Sequence, residues 1–425
     1  LENHSFDNLY GEFAGAENLS SPDALAAPLQ LGYDGTEMAT LPVLPDSGLP
    51  DNLPNAPFVL DPYLPVVDGG AVADTPDDLV HRFYQEQVQI DFGAMDYFAA
   101  VSDVRGESMG HFHTDQLPLA TVAQQYTLCD HFFHSAFGGS FLNHIWLIAA
   151  ASPVFPVDQA TDAGLVSSVD VPLDGGPMVN DGFVTPDGYA VNTCYSVNQP
   201  HPPGTNPKRL VPNQTIPNIG DRLTAANLDW KWYSGEWNAI MAYVANPDAG
   251  PAPDRFQYHH QPFAYFATTA DGTAAKAAHL KDEVDFVNDA NAGNLPPVSF
   301  IKPAGPDNEH PGYTDILDGE IHALSLITTI QNSPNWHDTA IIITYDENGG
   351  FWDHVSPPVV DNWGPGTRVP AIVVSPYAKN DFIDDTIYDT TSILTTIEHR
   401  WNLQPLSSRD AAGNDMSNAF DFTRP

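Results

Sequence analysis

With 425 residues, 42% of them hydrophobic, the chain can bury a large core and is far from a small stapled scaffold. Its formal net charge of -40 excludes a surface that holds nucleic acid or anionic lipid through basic patches. The charge arises from a scarcity of bases, 15 Lys plus Arg beside an ordinary 55 Asp plus Glu. That balance suits an extracytoplasmic protein in acidic surroundings, where neutralised carboxylates leave few cations to repel one another.

The chain opens abruptly on Leu1-Glu2-Asn3-His4-Ser5, which predicts a core strand upstream of residue 1. Residues 18–76 are rich in Pro, Gly and Asp with little periodicity and read as a long ordered insertion. From Thr75 to Val101, a Thr-Pro-Asp-Asp start followed by Leu79, Val80, Phe83 and Tyr84 predicts a helix. Further helices are expected at Leu117 to Leu128 and from Ser140 through Ile148, ahead of a second irregular insertion over 152–217. Helical and strand patterns then alternate. Ile219 to Asn227, Leu280 to Asn291, Ile316 to Gln331 and Ser392 to Trp401 read as helices. Asp229 to Tyr233, Val298 to Ile301, Ala340 to Tyr345 and Arg368 to Val374 read as strands. Such alternation predicts one α/β domain spanning 1–425, with a mostly parallel central sheet and helices on both faces. No apolar run approaches the roughly 18 residues of a spanning helix. Cys129 and Cys194 allow either one disulfide or two buried thiols.

In open α/β sheets, ligands gather beyond the carboxyl ends of the strands. The run Ala340 to Tyr345 is followed by Asp346-Glu347-Asn348-Gly349-Gly350 and, four residues on, by His354. Adjacent carboxylates there suit a hard cation bound through oxygen, although an acidic Asn-Gly turn has the same pattern. Glu2-Asn3 offers a second acid and amide if an upstream strand exists. In Gly138-Gly139-Ser140, a serine follows two glycines and precedes an apolar helix. Its hydroxyl is a candidate nucleophile at a helix N-terminus that favours phosphate, and equally a candidate N-cap. Histidine is abundant, 16 copies, with His111, His259, His260, His310 and His354 in or near polar clusters. In a site without Lys or Arg, protonated imidazoles are the remaining cations for a phosphate.

Taken in order, Glu2-Asn3-His4-Ser5-Phe6-Asp7, Gly139-Ser140-Phe141-Leu142-Asn143-His144, His259-His260-Gln261-Pro262, Glu309-His310-Pro311 and Tyr345-Asp346-Glu347-Asn348-Gly349-Gly350 resemble the bacterial phosphoesterase family. That family unites phosphocholine-type phospholipases C with AcpA-type acid phosphatases. The resemblance implies an alkaline-phosphatase-like core, Ser140 as nucleophile, and one divalent metal ion on Glu2, Asn3, Ser140, Asp346 and Glu347. Oxygen ligands of this kind favour calcium, magnesium or manganese. His111, rather than His113, is expected with His259, His260, His310 and His354 around the phosphoryl group. Ser at the nucleophile position and the His259-His260 segment look closer to the acid phosphatase branch, whereas His4 stands where the family usually has Arg. The expected activity is metal-dependent hydrolysis of phosphomonoesters through a phosphoserine. The rivals are a phospholipase C-type diesterase and a secreted protein that binds phosphorylated ligands without turnover. The expected partner is a small phosphorylated substrate, with no nucleic acid and no stable membrane insertion.

Overall fold

The computed structural model describes residues 1–45, 47–64, 76–166, 182–253 and 255–423. The start of the expected Thr75 helix and part of each insertion therefore lie outside the described residues. Two sheets carry the architecture. In the first, Trp230–Ser234 is flanked by Leu280–Asp282 and Val298–Lys302, all parallel. The second has the order Phe382–Asp384, Thr127–Cys129, Ala371–Val374 and Ile341–Thr344. There Phe382–Asp384 is parallel to its neighbour, and Ala371–Val374 runs antiparallel to both of its own. The fold is thus mixed α/β. Its strands are β-branched where they are most central: Ala371-Ile372-Val373-Val374 is buried at every position. Two short parallel pairs, Phe132–Phe133 with Tyr388–Asp389 and Phe58–Val59 with Gly110–His111, extend the scaffold.

Helices cover the sheets. Ile316–Gln331 is the longest, opened by Asp315 accepting from the Asp318 backbone N–H, and it packs against the helices Pro118–Gln125 and Glu283–Ala292. The apolar helix Ser140–Ala149 is buried along almost its whole length and packs against Thr391–Trp401. Leu41, Leu49, Leu53, Leu60 and Leu64 of the Pro-rich segment join the same buried cluster as Phe6, Val373 and Trp352. That segment is a packed wrap that shares the core. No helix among the described residues is long and apolar enough to cross a membrane.

The structure corrects several expected boundaries. Residues 76–82 are extended, and helix begins only at Phe83–Ile90, stopping where Asp91 and Phe92 adopt positive φ; a second short helix spans Phe98–Val101. The Pro and acidic residues that resemble a helix start instead belong to a strand-like approach to the site. Leu117 to Leu128 divides into the helix Pro118–Gln125 and the strand Thr127–Cys129. Leu280 belongs to a strand, and Val284, expected on the buried face of its helix, is exposed. Cys129 and Cys194 are both buried free thiols.

Candidate active site

Glu2 and Asn3 lie beside the carboxyl end of Ile341–Thr344. The Leu1 nitrogen donates to Thr344 O at 2.9 Å, and the Asp346 N–H donates to Leu1 O at 3.2 Å. Asn3 then turns at φ 64°, and its N–H donates to Asp346 Oδ1 at 3.2 Å. Gly349, itself at φ 59°, packs so closely that a Cβ there would lie 2.2 Å from the Asn3 carbonyl oxygen. The Asn-Gly-Gly turn is therefore the clamp that joins the two carboxylate segments.

Ser140 enters from the start of the helix Ser140–Ala149, which follows the short strand Phe132–Phe133. The helix N-cap is Gly139, so Ser140 occupies the first helical residue, and its hydroxyl makes no capping bond. It donates instead to Glu347 Oε1 at 2.7 Å and Glu2 Oε2 at 3.2 Å. The serine is therefore not the helix cap, and its side chain is turned into a carboxylate cluster. Gly138, at φ 86°, lets residues 82–83 press on the loop before it; a Cβ there would lie 2.5 Å from the Phe83 nitrogen.

Glu2, Asp346 and Glu347 offer carboxylate oxygens within 4.8 Å of one another. The Asn3 Oδ1 also faces Glu347 Oε1 and Glu2 Oε2, at 3.0 and 3.1 Å. Four oxygens, counting Ser140 Oγ, therefore converge in a buried site, and their repulsion is relieved in one of two ways. Either the amide turns, its nitrogen donating to both carboxylates and its oxygen accepting from His81 and His310, or a cation lies between them. Oxygens separated by about 3 Å are what adjacent ligands at roughly 2.1 Å from a hard cation produce. Asp346 Oδ2 and Glu347 Oε2 are buried without a hydrogen-bond partner, which fits the same ion.

Cationic and imidazole groups ring these oxygens. Lys302, the last residue of its strand, is buried, ion-paired to Glu2 Oε1 and 3.8 Å from Asp346 Oδ2. The expectation of a site without Lys or Arg is corrected by this ammonium. His81 Nε2 lies 3.3 Å from Glu347 Oε1. His260 Nδ1 lies 3.3 Å from Glu2 Oε1, and its ring stacks on His144 at 4.8 Å. His144 bonds the Ser140 carbonyl at 2.7 Å. His310 Nε2 meets the Asn3 amide at 3.1 Å while its ring stacks on Tyr313. A cavity of about 340 Å³ opens onto the cluster, lined by Ser140, His81, His259, His310, Arg82 and Phe183 among others.

The structure thus brings together Glu2, Asn3, Ser140, Asp346, Glu347, His259, His260 and His310. It places His111 and His354 elsewhere, which corrects both. Buried His111 sits on the Gly110–His111 strand, paired with Phe58–Val59, and its nearest carboxylate is Glu12 at 3.6 Å. His354 bonds Asp7 at 2.6 Å in a buried group with Asp353 and Arg368. Three residues escaped sequence reasoning. His144 could have been found, since it lies one helical turn after Ser140 on the same face. Lys302 could also, since it directly ends an apolar strand run. His81 was hidden by the false helix start at Pro76-Asp77-Asp78.

Burial sets the electrostatics. It pushes the Glu347 carboxyl up to about 7, reinforced by Asp346. For Asp346 burial acts the same way but is outweighed by Lys302 and His144, which hold it below the usual range. Burial pulls His81 down, yet the hydrogen bond and charge of Glu347 overcome it and raise His81 to about 9. His259 falls to about 3 through burial and neighbouring imidazoles, and His260, His144 and His310 are lowered mainly by burial. Burial also lowers Lys302, against the opposing pull of Asp346, Glu347 and Glu309, so His81 is the imidazole of the site most strongly favoured as a cation.

A family model described as the phosphoesterase family matches residues 1–404. The chain belongs to that phosphoesterase family. Among relatives of this phosphoesterase, phospholipase C A of Mycobacterium tuberculosis is 26% identical over 462 residues, covering 100% of this chain and 76% of that protein. The non-hemolytic phospholipase C of Pseudomonas aeruginosa is 24% identical over 466 residues, covering 100% of this chain and 56% of its own length. Among solved structures, a protein in the alkaline phosphatase superfamily from Vibrio parahaemolyticus aligns over 73% of this chain and 65% of its own, at 10% identity and a TM-score of 0.36. The phosphoesterase is a phosphoric ester hydrolase, and its substrates carry phosphoryl groups.

Proposed function

We propose that the protein is a metal-dependent phosphatase that hydrolyses phosphomonoesters through a phosphoserine on Ser140 and works best in acid. The observation that carries this reading is the Ser140 hydroxyl, 2.7 Å from Glu347 and 3.2 Å from Glu2 at the floor of the histidine-lined cavity. Glu2, Asn3, Ser140, Asp346 and Glu347 would hold one calcium, magnesium or manganese ion. Such an ion supplies Lewis acidity that lowers the hydroxyl pKa and offsets phosphoryl charge.

The residues then divide the work. Glu347 Oε1 accepts the Ser140 proton as Oγ attacks phosphorus in line. His81 and Lys302 present permanent positive charge to the reacting group, and the free ring nitrogens of His259 and His260 bond its oxygens. His81, which lines the cavity and is held protonated beside Glu347, protonates the leaving oxygen, and water then cleaves the phosphoserine. So many donors around one small group favour a monoester, which carries more charge than a diester. Lowered imidazoles gain protons most readily in acid, which agrees with the base-poor, extracytoplasmic composition.

The relatives named phospholipase C favour a second reading, a diesterase that acts on phospholipid headgroups with the same nucleophile. Activity profiles across pH, with a phosphomonoester beside phosphatidylcholine and with and without chelator, decide between them. Chelator-sensitive release of phosphate with an optimum below pH ~6.5, the ordinary histidine pKa, supports the phosphatase. Exclusive cleavage of the lipid overturns it.

A further inference from the structure

Behind the nucleophile lies a buried acid that phosphoryl transfer itself does not use. Glu86, on the helix Phe83–Ile90, is 1% exposed and turned toward main chain. Its Oε2 accepts the Gly138 N–H at 2.6 Å, while Oε1 accepts the Thr367 N–H at 3.1 Å and lies 2.7 Å from His134 Nε2. His134 is fully buried and meets the Ala136 carbonyl at 2.9 Å through its other nitrogen. Both ends of the turn 136–138 that delivers Ser140 are thereby held. Asn143, one helical turn after Ser140, braces the same turn: it accepts from the Ala136 N–H at 3.0 Å and donates to the Ala136 and Gly138 carbonyls at 3.0 and 3.1 Å. Gly366 seals the pair, since a Cβ there would lie 2.1 Å from His134 Cε1 and 2.4 Å from Glu86 Oε1.

The donors and acceptors fix the chemistry. Both His134 ring nitrogens face acceptors, so each carries a proton when Glu86 is ionised. Burial lowers the His134 pKa, but the charge and hydrogen bond of Glu86 outweigh it and raise it. Three N–H groups converge on the two Glu86 oxygens. A glutamine there must turn its own NH2 group against at least one of them, leaving buried donors unpaired.

We propose that Glu86 and His134 are positioning residues for the nucleophile: as one buried ion pair they fix the turn 136–138, and so set where Ser140 Oγ stands against Glu347 and Glu2. The inference rests on Ser140 as the nucleophile and holds for a monoester or a diester alike. Apart from the bond between them, the side-chain bonds of the pair go to the main chain of this turn and of Thr367. Loosening the pair therefore moves the serine before it moves the groups that bind substrate. A displacement of about 1 Å among reacting groups costs on the order of 100-fold in rate.

The test uses the full chain loaded with the divalent ion that sustains turnover, assayed on para-nitrophenyl phosphate and on its phosphocholine diester, whichever the wild type cleaves faster. Glu86→Gln should lower kcat about 100-fold while KM changes by less than about threefold, because the groups that bind the phosphoryl charge are untouched. His134→Gln, whose amide nitrogen replaces Nε2 toward Glu86 but leaves the Ala136 carbonyl unheld, should lower kcat about tenfold. The double variant should be no slower than Glu86→Gln, since residues that act as a unit are not additive. Lys276→Met controls for lost stability: it removes a buried ammonium bonded to Asp271 and the Gln199 carbonyl, and should keep the wild-type kcat. Rates are taken on protein shown to be folded by urea titration, and should Glu86→Gln not fold, His134→Gln carries the same prediction. Glutamine variants with wild-type kcat, or with losses matched by Lys276→Met, overturn the positioning role. Ser140→Ala, assayed alongside, separates the two readings. If it retains turnover, the nucleophile reading falls and the proposal with it; if it is inactive while the variants of the pair are not impaired, the proposal alone falls.

Discussion

Gly349→Ala probes the clamp that holds Glu2-Asn3 against Asp346-Glu347. The added Cβ would sit 2.2 Å from the Asn3 carbonyl oxygen and 2.5 Å from Asn3 Cβ, where a carbon–oxygen contact needs roughly 3.3 Å. Relief requires Asn3 to move by about 1 Å, and a displacement of that size among reacting groups costs on the order of 100-fold in rate. The left-handed backbone at φ 59° adds about 1–2 kcal/mol of instability for any residue with a Cβ. Gly272→Ala separates the two effects, because Gly272 has φ 79° with nothing within 4 Å of its Cβ position. Gly272→Ala should show the backbone cost alone in urea titrations and keep its activity, whereas Gly349→Ala should lose more stability and also kcat/KM and divalent-ion affinity. A Gly349→Ala enzyme with wild-type kcat/KM and ion affinity would refute the clamp.

Two further perturbations act on stability. Burial pushes the Glu320 carboxyl up to about 8, and the Leu119 N–H donates to it. A folded pKa above the unfolded one contributes stability that is complete below about pH 4.5 and disappears as pH rises through about 8. Glu320→Gln should therefore flatten the fall in Tm between those values; an unchanged slope refutes the assignment. Arg368 is fully buried, 2.9 Å from Asp353 and 3.2 Å from Asp7, with further bonds to the Glu17 and Asp130 carbonyls. Arg368→Met removes the guanidinium from two buried carboxylates, leaving them His354 and backbone N–H donors alone, and should cost about 3–5 kcal/mol in denaturant unfolding. A loss below about 1 kcal/mol would show that the cluster contributes little.

Strand-end logic found Asp346 and Glu347 because β-branched Ile341-Ile342-Ile343 makes its strand unmistakable, and polar residues just beyond it fall at the site. Helix Ile316–Gln331 was legible to the residue. Ser140 stayed ambiguous in sequence, since a cap and a nucleophile share one local pattern; its contacts with Glu2 and Glu347, both far away along the chain, could not be read there. His81 was invisible for the opposite reason. The segment 76–82 that carries it has a Pro-acid signature that local rules assign to a helix, yet it forms no helix and packs against the Gly138-Gly139 loop. Abundance of histidine pointed to imidazole chemistry, but could not tell His310 at the cavity from His354 against Asp7, because each follows an acid-rich loop.

The most direct test is acid-quench trapping. Metal-loaded wild-type protein is mixed with a phosphomonoester, stopped in acid within one turnover, digested and analysed by mass spectrometry. The phosphoserine mechanism predicts one added phosphoryl group on the peptide containing Ser140, absent in Ser140→Ala along with turnover. A phosphoryl group on histidine instead, or Ser140→Ala retaining more than about a tenth of the wild-type rate, under ~1.4 kcal/mol of barrier, would contradict it.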